Sequence, residues 1–392
     1  MSSRNINRRT LLRSGALLTG GLTFIPGMLS KAIAETTMPA APLLFNPETD
    51  ESVVLAAPPD VKARLSANEN PFGPSPKAKQ AIQDAINDSF RYAFGSSREL
   101  INKIATFEGL QQGQVMLAAG SSPLLGAAAA YFSKDGGSIV TADPSYDDLP
   151  RKAAMQYKAN IIKVPLTADY KMDLDAMEKA ITPDTKLVYL CNPNNPTATI
   201  VDTAKLKSFC ERVSAKVPVF IDEAYIDYLD DPQSVTLIDL VKKGSKVIVA
   251  RTFSKLYGFA GLRVGYAVAQ PDMIRTLSNY CEGAMSISAT SIAAAIASYQ
   301  DKEYMQQVKA KTEASKKFLY DLLKKEGYEY VPSYANFVIF PLKLDSMKFS
   351  QEMQKRGVSI RTWKFAGKEW CRISIGRMDE MEAFAAAFKE IS

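Results

Sequence analysis

Three apolar runs in the middle of the chain each end in a short polar cluster. The run 187–191 leads into Asn192-Pro193-Asn194-Asn195-Pro196-Thr197, and 217–221 leads into Asp222-Glu223-Ala224-Tyr225. The run 247–251 leads into Thr252-Phe253-Ser254-Lys255, with Arg263 eight residues on. Each alone has a plain explanation: Asn-Pro repeats form turns, Asp-Glu pairs cap loops, and a single lysine is usually solvated. Together they place an amide, a carboxylate, a phenol, an amine and a guanidinium at strand ends. That set suits proton transfer and covalent work by the amine, with an anion held by the guanidinium fork. The composition narrows the choice further, because the chain contains no histidine. Ser-His-Asp hydrolysis and His-ligated metal chemistry are thereby excluded. Cys191, Cys210, Cys281 and Cys371 are widely spaced, which predicts neither a cysteine zinc site nor a disulfide framework, so no metal site is expected. The chemistry must come from Lys, Asp, Tyr, Arg or a bound cofactor.

These clusters need a scaffold. With 392 residues, 46% of them hydrophobic, the chain has room for two or three cores. Strands are predicted at 114–118, 138–142, 161–164, 187–191, 217–221, 246–251 and 264–269. Several are continuous apolar runs, as expected of a sheet covered on both faces. Helices such as 173–180 and 203–215 fall between them, which implies an α/β fold with a mostly parallel, doubly wound sheet whose ligands bind beyond the carboxyl ends of the strands. After residue 295 a long polar helix, 302–326, precedes strands at 336–341, 358–362 and 370–375, a smaller α+β domain. The resulting division is 59–92 as a segment contributing to the small domain, 93–295 as the large domain and 296–392 as the small one. Gly120-Ser121-Ser122-Pro123 joins a strand to an apolar helix, 124–131, and its backbone N–H groups suit an anion.

The N-terminus has a different logic. Residues 1–34 contain Arg4, Arg8, Arg9, Arg13 and Lys31 and no acid, followed in order by a broken apolar stretch, 15–29, and an Ala32-Ile33-Ala34 cleavage signature. The adjacent Arg8 and Arg9 ahead of apolar residues match a twin-arginine export signal. The stretch is too short and interrupted to span a bilayer, so no stable membrane anchor is expected. Removing these five charges takes the formal charge from +6 to +1, and the basic balance of a nucleic-acid binder disappears. Residues 35–58 then read as a linker or arm. The expectation is export, by the twin-arginine machinery, to the periplasm or beyond.

From Leu65 to the C-terminus the chain resembles the fold-type I pyridoxal phosphate enzymes of aminotransferase class I/II, most closely the histidinol-phosphate aminotransferase-like branch. The resemblance is carried by LSANENPFGPSP at 65–76, Arg91-Tyr92, NPNNPT, DEAY, TFSK, GLRVGY at 261–266, SYANFV at 333–338 and CRISIG at 371–376. It implies that Lys255 forms a Schiff base with pyridoxal 5′-phosphate and then shuttles a proton between substrate Cα and the cofactor. Asp222 would pair with the pyridine nitrogen, and Tyr225 and Asn195 with the ring's phenolic oxygen. Tyr146 would stack on the ring, while Gly120, Ser121, Ser122, Thr252, Ser254 and Arg263 would hold the phosphate. Tyr92 matches a tyrosine that reaches the neighbouring subunit's cofactor, which implies a homodimer. Arg372 would grip the substrate carboxylate, with Arg361 and Asn70 near the substrate.

The expected activity is amino transfer between an L-amino acid, or related amine, and a 2-oxo acid. Decarboxylation, racemisation or elimination on the same fold is the alternative, and a non-catalytic cofactor sensor is a second. Some positions depart from the common pattern: AAGSSP replaces GNGSDE, NPNNPTA replaces NPNNPTG, and Tyr257 replaces a frequent Phe. Arg361 is expected more readily in a surface ion pair than Arg372. If both face the pocket, substrates with two anionic groups are favoured. If Arg372 alone does, Tyr92, Tyr146 and Tyr257 favour a neutral or aromatic side chain.

Overall fold

The computed structural model describes residues 61–391, so the export segment and the 35–58 arm lie outside the described residues. The described residues belong to one compact unit. Strand β1 (Ala63–Arg64) precedes a seven-stranded sheet of β2 (Val115–Ala118), β3 (Ser138–Asp143), β4 (Asn160–Pro165), β5 (Thr185–Cys191), β6 (Val219–Asp222), β7 (Val247–Thr252) and β8 (Gly265–Val268). Their order is β2-β8-β7-β6-β5-β3-β4. All are parallel except β8, which runs antiparallel to both neighbours. The twelve residues between β7 and β8 hold no crossover helix, so the chain returns antiparallel.

Each of the seven predicted strands is present within two residues at either end. Strands β6 and β7 are buried along their whole length, with separate apolar clusters on the two faces of the sheet. This two-sided cover explains why the runs are continuous rather than alternating. At the carboxyl ends Cys191 lies opposite Asp222, and Asp222 opposite Ala250. The register therefore releases the NPNNP, DEAY and TFSK loops side by side at one edge.

A second core is built on β9 (Phe337–Pro341), β11 (Arg361–Phe365) and β12 (Lys368–Ser374), antiparallel in the order β11-β12-β9. The helix Lys302–Lys325 turns one stripe, including Val308, Thr312, Ser315 and Leu319, inward at the spacing of helical turns. The predicted strand 358–362 is in fact two. Its first part, β10 (Val358–Ser359), pairs in parallel with β1, and the chain then switches sheets at buried Ile360 to pair as β11 with β12. Among the described residues no helix is long and apolar enough to cross a membrane.

Candidate active site

Asp222 is the last residue of β6 and is 2% exposed. Burial pushes its carboxyl up to about 7, against a hydrogen bond from the Ala224 N–H at 3.0 Å and the nearby charge of Lys255. Three residues on, the Tyr225 oxygen accepts a hydrogen bond from Asn68 Nδ2 at 3.0 Å. Burial holds this phenol well above its ordinary pKa, partly opposed by Arg372 and Asn68. Lys255, just past β7, has its Nζ 3.5 Å from the Ala67 carbonyl oxygen and 5.4 Å from the centre of the Tyr225 ring. An amine, a carboxylate and a phenol thus converge from two adjacent strand ends.

A second group lies at the start of the helix Ser122–Ser133. Gly120 has φ +83°, and a Cβ there would collide with the Arg263 guanidinium. Gly265 permits an equally close approach from behind, since its Cβ would fall 2.6 Å from the Gly120 carbonyl carbon. Arg263 donates to Ser254 Oγ at 3.2 Å, Ala260 O at 2.9 Å and Ala119 O at 3.2 Å, and the Thr252 hydroxyl bonds Ser254 Oγ at 2.9 Å. Ser121 is the N-cap of this helix and makes no side-chain cap bond, which leaves the first N–H groups open to an anion beside Gly120. A bare glycine, a guanidinium, two hydroxyls and a helix N-terminus form a cradle that fits a phosphate. The raised Asp222 and the nearby Lys255 amine fit the ring and aldehyde of a pyridoxal group. The residues present therefore suit this cofactor.

The third group spans both sheets. Asn195 is 5% exposed, and its Oδ1 accepts from Arg372 Nη1 at 2.7 Å, while Arg372 Nη2 donates to the Ser66 carbonyl at 2.7 Å. The Arg372 guanidinium also stacks over Trp363 at 4.6 Å. Arg361 lies directly opposite Arg372 in the β11-β12 register, so both side chains leave the same face. At 6% exposure Arg361 is buried rather than at the surface. Tyr146 sits in the loop after β3, which Ser145 ties to NPNNP through Asn194 Oδ1 at 2.8 Å.

Three further residues lie outside these groups. Asn70 is a turn former: its Oδ1 accepts from the Phe72 N–H at 2.9 Å and its Nδ2 straps the turn to Leu256 O at 2.7 Å, next to Lys255. Tyr257 is buried against Phe253, at 4.7 Å between ring centres, and lines the core instead of a substrate pocket. Tyr92 is 78% exposed and is not brought to the other site residues within one chain. Sequence reasoning missed Ser66, Ala67 and Asn68, three consecutive residues that touch Arg372, Lys255 and Tyr225 in turn. Their signal is the LSANENPFGPSP motif, to which all three belong. It also missed buried Arg251, held between Glu108 at 2.9 Å and Glu223 at 3.0 Å beneath the site.

The family model for aminotransferase class I and II matches residues 60–388. The chain belongs to that family. A histidinol-phosphate aminotransferase of Moorella thermoacetica is 38% identical over 330 residues, 84% of this chain and 85% of the relative. The crystal structure of histidinol-phosphate aminotransferase from Sinorhizobium meliloti in complex with pyridoxal 5′-phosphate superposes with a TM-score of 0.80 at 25% identity, covering 95% of this chain and 98% of that one. A putative histidinol-phosphate aminotransferase from Erwinia carotovora gives a TM-score of 0.79 at 31% identity, over 84% of this chain and 95% of that one. The fold is that of the type I enzymes, and the chain is a pyridoxal phosphate-dependent aminotransferase.

Proposed function

We propose that this aminotransferase takes its amino group from an amine carrying two anionic groups, a phosphorylated or acidic one, and passes it to a 2-oxo acid. The observation that carries the reading is the pairing of Arg361 and Arg372, both buried and on one face of the small sheet. Relatives that are histidinol-phosphate aminotransferases support a phosphorylated amine. Bound pyridoxal phosphate supplies an electron sink for charge developing at substrate Cα. Lys255 holds the cofactor and moves the Cα proton, Asp222 keeps the ring nitrogen protonated, and Asn195 and Tyr225 bond the ring's phenolic oxygen. Tyr146 covers the ring, and Gly120, Ser121, Ser122, Thr252, Ser254 and Arg263 bind the phosphate. Arg372 holds one substrate anion through its fork, and Arg361 binds the second. Arg361→Ala should lower kcat/KM for dianionic amines by about 1.5–3 kcal/mol, the worth of hydrogen bonds to charged groups, and leave monoanionic amines nearly unchanged. An unaltered substrate ranking in a panel of amines would remove Arg361 from the site.

We further infer a homodimer exported in folded form and working in the periplasm. Exposed Ile86, Phe90, Tyr92, Phe94 and Met285 support a subunit interface that carries Tyr92 toward the partner's cofactor. The order of the Arg8-Arg9 segment, apolar stretch and cleavage signature supports export and a boundary after residue 34. Changing Arg8 and Arg9 together to Lys keeps the charge but not the motif. Activity should then remain in the cytoplasm and elute at the mass of a dimer. Undiminished periplasmic activity would count against export, and elution as a monomer against the dimer.

A further inference from the structure

We infer that Asn68 is a positioning residue that fixes which way the Tyr225 phenol points its proton. The inference rests on the assignment of Tyr225 to the cofactor's phenolic oxygen. Asn68 is 1% exposed and adopts φ +53°, a left-handed conformation that asparagine tolerates better than most residues. Its polar groups are all engaged. The backbone N–H donates to Ser374 Oγ at 2.7 Å, the Ser374 hydroxyl donates to Asn68 Oδ1 at 2.9 Å, and the backbone carbonyl accepts from Asn336 Nδ2 at 3.0 Å. Asn68 Nδ2 donates to the Tyr225 oxygen at 3.0 Å.

This ring of bonds decides the orientation of the amide. Ser374 Oγ already accepts from the Asn68 N–H, and in a buried site its own proton requires an acceptor. That acceptor is Oδ1, so the NH₂ end must face Tyr225. The Tyr225 oxygen is then an acceptor toward Asn68, and its single proton is directed elsewhere in the site. A phenol whose proton is not consumed by its own scaffold donates to the cofactor's phenolic oxygen and stabilises negative charge there. An oxygen stabilised in this way holds the neighbouring proton of the lysine-bound nitrogen less tightly. The neighbours of Asn68 add to the effect, because the Ser66 and Ala67 carbonyls face Arg372 and Lys255. One short segment thereby sets the polarity around three site residues.

Two substitutions separate this role from simple folding. Asn68→Asp preserves the shape but replaces a donor by an acceptor, so the Tyr225 proton turns toward the new carboxylate. Asn68→Gly removes the side chain and tolerates the positive φ. In the holoenzyme, the pH midpoint of the visible absorbance of the lysine-bound cofactor should rise by about one unit or more in Asn68→Asp and less in Asn68→Gly, in the same direction. The cofactor dissociation constant should rise with it. Tyr225→Phe should give a similar rise, and adding Asn68→Asp to Tyr225→Phe should shift the midpoint no further. Midpoints indistinguishable from wild type in both Asn68 variants, beside a shifted Tyr225→Phe, would overturn the role of Asn68 alone. A shift in Asn68→Asp without one in Asn68→Gly would reduce it to added charge and overturn it equally. An unshifted Tyr225→Phe would overturn both this inference and the assignment of Tyr225.

Discussion

Lys255→Ala should still bind pyridoxal phosphate noncovalently and lose nearly all turnover. The cradle around Gly120, Ser254 and Arg263 does not involve the lysine amine, so the phosphate keeps its partners. What disappears is the base at substrate Cα, a loss of roughly a hundredfold to ten-thousandfold or more when proton transfer limits the rate. Neither the Tyr225 ring nor the Ala67 carbonyl near Nζ offers a replacement of comparable basicity. Borohydride reduction of the wild-type holoenzyme followed by peptide mapping should place the pyridoxyl group on Lys255. A label on another lysine would overturn the assignment.

The large sheet was legible because its central strands are buried on both faces and read as unbroken apolar runs between helices. The split of 358–362 was not, since no local pattern announces that Val358 pairs with Ala63 while Arg361 pairs with Arg372. That choice depends on partners far away in sequence. The same distinction divides the site. Asp222, Tyr225 and Lys255 lie at or just past the ends of β6 and β7, whose parallel register carries them together, and Arg263 stands just ahead of antiparallel β8 at the same edge. Asn68 and Asn70 lie two residues apart in one motif, and what separates them is the backbone. Positive φ at Asn68 turns its amide toward Tyr225, while Asn70 folds onto its own turn. Arg251 looks like any strand residue until Glu108 and Glu223 are brought to it from 143 and 28 residues away. A buried arginine bonded to two carboxylates is a tertiary event, and it braces the ends of β6 and β7 from which Asp222 and Lys255 emerge.

Asp222→Asn should reverse the order of stability between the cofactor-free and cofactor-bound protein. Burial raises the folded carboxyl to about 7, whereas in the unfolded chain it titrates near 4. Between these values the folded chain keeps a proton that the unfolded chain has already lost, so stability without cofactor falls as pH rises. The amide has no such proton. The variant without cofactor should therefore gain about 2–3 kcal/mol on wild type between pH 5 and pH 8 in urea or thermal unfolding. With pyridoxal phosphate the sign inverts, because the carboxylate then has a cationic ring nitrogen to pair with. Removing one partner of such a buried pair costs about 3–5 kcal/mol, to be read as weaker cofactor binding and lost turnover. A cofactor-free variant less stable than wild type at pH 8 would mean that the Ala224 N–H and Lys255 already offset the burial of the carboxylate. The upward shift at Asp222 would then be wrong in sign.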